Sequence, residues 1–168
     1  MKAGGLFIIL MFTILSLGCI EQTAKNGDTV SVVYGAYHNN NTLIDDNNGE
    51  PLQFTIGNGE VVNGFNYAVI GMKVGQTKTV TVAPDEGYGL YYPSRITQES
   101  VENLEKVGIN ASIGSVVYAT MDNNRERGVI IDNNGTNVLI DFNHPLAGKT
   151  LVFKIRLVSI DAHAGNAI

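Results

Sequence analysis

Short runs of alternating apolar and polar residues, rich in β-branched side chains and separated by asparagine and glycine clusters, recur along the chain from residue 29 onward. Thr29–Tyr34, Leu52–Ile56, Thr77–Val82, Ser115–Thr120, Val129–Ile131, Asn137–Ile140 and Leu151–Ile160 show the two-residue period of strands with one buried face. Between them stand Asn39-Asn40-Asn41, Asn47-Asn48-Gly49, Gly57-Asn58-Gly59 and Asn133-Asn134-Gly135, residue types that accept the backbone angles of tight turns. The last cluster lies between two runs and predicts a hairpin. Two segments break the rhythm. Asn63–Gly71 leads Phe65, Ala68, Val69 and Met72 at helical spacing, while Thr97–Val107 offers a Thr cap, early acidic residues, and Val101, Leu104 and Val107 on one face. The fold class is α+β, β-dominated, with two short helices.

What such a fold could do is narrowed by what it lacks. At 168 residues the chain is one ordinary domain or two small ones. Eleven Lys and Arg against sixteen Asp and Glu give a net charge of −5, and the basic residues form no block, which argues against nucleic acid as a partner. One cysteine makes neither an internal disulfide nor a multi-cysteine zinc site. The histidines, His38, His144 and His163, are too scattered for a metal cluster or a catalytic triad, and Gly57-Asn58-Gly59 lacks the further glycine and basic residue of a nucleotide loop. Neither metal nor cofactor is expected. What remains is a set of apolar and aromatic residues beside glycines: Tyr34, Val61, Val62, Phe65, Tyr88 and Phe153. They suit a binding pocket, and they equally suit a core.

The N-terminus reads as an address. Lys2 is followed by sixteen uncharged residues, Ala3 to Gly18, with Leu6 to Phe12 dense in large apolar side chains, as in a secretory signal. Leu15-Ser16-Leu17-Gly18-Cys19 resembles a bacterial or archaeal lipobox, with Ser16 where Leu is usual, and this implies lipidation of Cys19. The alternative is an uncleaved membrane anchor. Either reading exports the body to the outer face of the cytoplasmic membrane, with residues 1–18 as leader and 19–27 as tether. Asn40, Asn110 and Asn134 begin sequons available to an exporting cell.

Three motifs then occur in order: Gly59-Glu60-Val61-Val62-Asn63-Gly64-Phe65, Gly71-Met72-Lys73-Val74-Gly75-Gln76 and Pro84-Asp85-Glu86-Gly87-Tyr88-Gly89. They resemble the FKBP family of peptidyl-prolyl isomerases. The resemblance resumes at Asn143-His144-Pro145-Leu146-Ala147-Gly148-Lys149-Thr150-Leu151-Val152-Phe153, whose wording is similar to the SlyD-type branch. The resemblance implies an antiparallel half-barrel sheet wrapped on a short helix, built from residues 28–91 and 141–162. An inserted, β-rich insert-in-flap chaperone domain would occupy 92–140, holding the second helix and three of the strands.

Carried over residue by residue, the family's catalytic pocket falls on Tyr34, Asp45, Val61, Val62, Phe65, Tyr88 and Phe153, with Ile44, Leu52, Phe54 and Leu146 as further substrate-binding walls. Ile44 and Leu52 stand where relatives commonly have aromatics, and Phe65 where many have Trp. Strand alternation could instead point Phe54 away from the ligand. The implied substrates are unfolded or proline-containing polypeptides, and the protein is expected to be a monomer. The rival reading is a non-catalytic chaperone or surface-binding module on the same scaffold.

Overall fold

The computed structural model describes residues 22–121 and 123–161. The leader 1–18, Cys19 and the tail with His163 lie outside the described residues. The chain order is β1 (Thr29–His38), β2 (Leu43–Asp46), β3 (Leu52–Thr55), α1 (Asn63–Val69), β4 (Thr77–Val82), β5 (Ile96–Ser100), α2 (Val101–Lys106), β6 (Val116–Met121), β7 (Asn124–Asn133), β8 (Asn137–Asp141) and β9 (Leu151–Asp161).

Two antiparallel sheets result. In the first the order is β2-β1-β9-β4, and β3 joins the same edge of β1 as β2, pairing Thr29–Val32 where β2 pairs Gly35–Tyr37. Alternation along β9 turns Leu151, Phe153, Ile155 and Leu157 inward against α1, with Val30, Val32, Phe65, Val69 and Met72 completing the core. The helix lies close to the sheet because Gly64 has no side chain: a Cβ there would meet Val82 Cγ1 at 2.6 Å. This is the half-barrel on a short helix that the FKBP resemblance implies.

The second sheet, β5-β8-β7-β6, has its own core of Leu104, Val117, Ile130, Val138, Ile140 and Phe142. The Asn133–Gly135 turn joins β7 to β8 as the sequence suggests, with Gly135 at φ 86°. Two expectations need correction here. The segment Thr97–Val107 is not one helix, because Ile96–Ser100 pairs with Asn137–Asp141 as a fourth strand. The helix starts after Ser100, whose hydroxyl accepts the Asn103 N–H at 3.1 Å, and Val107 is 69% exposed. A β-branched Ile-Thr pair with a partner strand outweighs the weak helical preference of so short a segment.

The tether also proves shorter than expected. Thr23 bridges Lys73, Ala24 exchanges backbone hydrogen bonds with Gly71 and Met72, and Ala24 is buried. Residues 23–28 belong to the body, since a small side chain lets the backbone close over Met72. Among the described residues no helix is long and apolar enough to cross a membrane.

Candidate active site

One cavity of about 430 Å³ opens where the N-terminal end of α1 faces the sheet. Its floor is Phe65, 2% exposed, whose ring meets Tyr34 at 5.5 Å, Phe153 at 5.3 Å and Phe54 at 5.8 Å between centroids, each edge to face. Edge-to-face rings hold one another at fixed angles, so the floor is preorganised. Strand alternation supplies one wall from Tyr34 and Ala36 of β1, and another from Leu151 and Phe153 of β9. Val61 and Val62 enter from the turn before α1. Asn66, buried in that helix, fixes the turn by accepting the Gly57 N–H at 2.9 Å. Leu52, Ile44 and Asp45 close the β2–β3 side, while Tyr88 and Leu146 close the other.

Ten of the eleven pocket positions implied by the resemblance thus line one cavity. The exception is Phe54, which packs behind Phe65 with 2% exposure and does not reach the cavity. The inward face of β3 at that register belongs to the core, so Phe54 supports the floor and touches nothing bound above it.

The polar groups are few. Tyr34 Oη donates to Asp45 Oδ2 at 2.8 Å, and burial followed by this bond pushes the phenol up to about 12. The hydroxyl therefore stays protonated throughout the neutral range. Asn47 holds the same edge of β1, donating to Val32 O and accepting the Tyr34 N–H, both at 3.0 Å. On the opposite side Tyr88 stacks on His144, with rings 4.3 Å apart and 5° from parallel, and His144 Nδ1 accepts the Leu146 N–H at 3.1 Å. Burial, then the charge of Arg127, lowers the His144 pKa, which favours the neutral ring this bond requires.

Asn47, His144, Ala36 and Leu151 were not singled out as site residues from the sequence. Ala36 and Leu151 carried a usable signal, each standing two residues from an implied pocket residue on the same strand. Asn47 and His144 did not, because their roles depend on contacts across loops. No group of three or more His, Cys, Asp or Glu residues that could hold a metal occurs among the described residues.

An apolar cavity floored by one ring, walled by aliphatic side chains and carrying a tyrosine–aspartate pair at its edge is suited to binding a small cyclic apolar group with its adjoining amides. Residues 21–158 match the model of the FKBP-type peptidyl-prolyl cis-trans isomerases, and the chain belongs to that family. It is an isomerase of the SlyD-like kind. It is 34% identical over 109 residues to the FKBP-type peptidyl-prolyl cis-trans isomerase SlyD of Helicobacter pylori, a match covering 65% of this chain and 58% of that protein's length. It is 35% identical over 116 residues to an FKBP-type 16 kDa peptidyl-prolyl cis-trans isomerase of Escherichia coli, covering 68% and 77%. A short-type peptidyl-prolyl cis-trans isomerase of Methanocaldococcus jannaschii is 40% identical over 111 residues, covering 64% and 66%.

Proposed function

We propose that the cavity floored by Phe65 turns prolyl peptide bonds in unfolded polypeptides outside the cytoplasmic membrane, without covalent chemistry. The observation carrying this reading is the convergence of Tyr34, Asp45, Val61, Val62, Phe65, Tyr88 and Phe153 on one apolar cavity. Rotation about the amide must break its resonance, a barrier of about 18–20 kcal/mol. The twisted amide has lost charge separation, so an apolar enclosure favours it over the planar ground state. Phe65 takes the proline ring, while Val61, Phe153 and Leu146 keep water away. The Val62 N–H and the Tyr88 hydroxyl hold the flanking peptide, and Asp45 orients the Tyr34 hydroxyl toward the turning carbonyl.

The second sheet and its helix act as a chaperone lobe that captures long unfolded clients and raises their local concentration at the cavity. A short connection gives an effective concentration of about millimolar order. The body is a monomer held at the outer membrane face through a lipid on Cys19 or through the uncleaved leader.

Deleting residues 92–140 and closing the flap tests the division of labour. The expected variant isomerises a proline tetrapeptide at the parent rate and refolds a proline-limited protein more slowly. Equal losses in both activities contradict it.

A further inference from the structure

The N-terminal segment joins the body at the end of α1 farthest from the cavity. Ala24 N–H donates to Met72 O at 2.9 Å and Gly71 N–H donates to Ala24 O at 2.8 Å, with Thr23 bridged to Lys73. Only Ile20, Glu21 and Gln22 separate Thr23 from Cys19. Four residue steps of extended chain span at most about 14 Å. An anchor at Cys19 or upstream of it therefore draws the turn after α1 toward the membrane.

That turn and the outer face of α1 expose apolar side chains: Tyr67 at 60%, Ile70 at 39% and Val74 at 56%. Lys25, Lys73 and Lys78 stand exposed at the same end, and Lys78 Nζ donates to Ala68 O at 3.0 Å, tying that ammonium to the last turn of α1. Of the acidic residues at this end, Asp28 is buried and accepts the Lys25 N–H at 2.9 Å, Asp161 lies beside Gln53 on β3, and Glu60 accepts the Thr55 N–H at 3.3 Å, while Glu21 stands in the linker sequence itself. The other end of the same sheet carries Asp45, Asp46, Glu50, Asp85 and Glu86 along its loops and short β2 strand. No run of basic residues exists in the sequence; the fold gathers the lysines.

We propose that this end is the membrane-facing surface of the protein and that its occupant is an anionic lipid surface. Tyr67, Ile70 and Val74 sit at the headgroup boundary, and Lys25, Lys73 and Lys78 lie over the phosphates. The inference rests on the N-terminal anchoring stated above and adds an orientation to it. A basic, apolar contact adds to whichever N-terminal anchor the chain carries and fixes which face of the body meets the lipid. The same arrangement turns the cavity outward. Along β9, Leu151 and Phe153 line the cavity, whereas Leu157 accepts the Gly75 N–H at the turn. Six residue steps of strand place the two ends about 20 Å apart, so clients reach the cavity from the side away from the lipid.

The chain contains no tryptophan, so Val74→Trp, Ile70→Trp and Asp85→Trp each give a single reporter in the full chain. Each variant is reconstituted into vesicles of phosphatidylcholine and phosphatidylglycerol, with and without brominated acyl chains. Flotation reads anchoring and tryptophan emission reads the face. All three variants are expected to float. The reporters at 74 and 70 shift to the blue and are quenched about twofold or more by brominated lipid, while the reporter at 85 keeps the emission of a water-exposed ring. Floating variants whose 74 and 70 reporters stay unquenched, or whose 85 reporter is quenched as strongly, overturn the orientation and leave the anchoring intact. Failure to float overturns both. A blue shift at 74 that appears without vesicles and grows with protein concentration assigns the patch to a second copy of the chain and overturns the lipid assignment.

Discussion

Tyr34 and Asp45, eleven residues apart on neighbouring antiparallel strands, meet at the cavity with Oη donating to Oδ2 at 2.8 Å. The pair gives an apolar site one directional dipole, whose hydroxyl stays protonated near neutrality. Asp45→Ala is expected to lower kcat/KM for a proline tetrapeptide about tenfold, near the low end for a hydrogen bond to a charged group because the pair is reached by solvent. Ultraviolet titration supplies the companion measurement. In the parent the Tyr34 phenol is pushed up to about 12, so the stability it contributes is present below the ordinary phenol value of 10.0 and is lost as pH rises toward 12. In the variant the phenol ionises at lower pH.

Phe54 and Phe153 both touch the Phe65 ring, yet only Phe153 lines the cavity. Each substitution to Leu is expected to cost about 1–3 kcal/mol of stability in urea unfolding. Phe153→Leu also lowers kcat/KM about tenfold, whereas Phe54→Leu leaves it within about threefold. Equal kinetic losses would return Phe54 to the list of substrate-contacting residues.

His144 couples the flap to pH. Its pKa is lowered by burial and then by Arg127, and its Nδ1 accepts the Leu146 N–H. A base with a depressed folded pKa contributes stability that is present above its unfolded value of 6.5 and is lost as pH falls through the folded pKa. Replacing His144 by Asn should flatten the acid limb of the stability curve below pH 6.5, as read by urea unfolding across that range.

The fold was legible where two signals agreed. Val30, Val32, Leu151 and Phe153 combine alternation with β-branched or aromatic character, and they form the inner face of the first sheet. β2 was not recognised because burial alternates along Leu43–Asp46 while hydropathy does not follow it: Leu43 is 51% exposed and Asp46 is half-buried as Ile44 is. Thr97 resembled a helix cap because acidic residues and an apolar face follow it, whereas Ser100, three positions on, performs the capping. The pocket positions came from the motif resemblance, and local spacing alone left them divided between pocket and core. Phe54 shows why: its distance from the cavity is set by the Phe65 ring packed edge to face before it, which no single-strand pattern encodes.

The docked segment 23–28 offers a separate test of the body's boundary. Ala24→Asp places a carboxylate at a position 1% exposed, and is expected to destabilise the body by about 2 kcal/mol or more. A thermal melt unchanged from the parent would return this segment to the tether.

The central claim is that the Phe65-floored cavity is where prolyl bonds turn. Exchange spectroscopy on a proline tetrapeptide measures this directly, comparing the parent chain with Val62→Arg, which puts a guanidinium at the cavity wall, and with Val74→Arg at the opposite end of α1. Uncatalysed exchange takes roughly tens to hundreds of seconds. The account predicts fast exchange with the parent and with Val74→Arg, and exchange close to the uncatalysed rate with Val62→Arg while that variant keeps its fold. A folded Val62→Arg variant that isomerises as fast as the parent would contradict it.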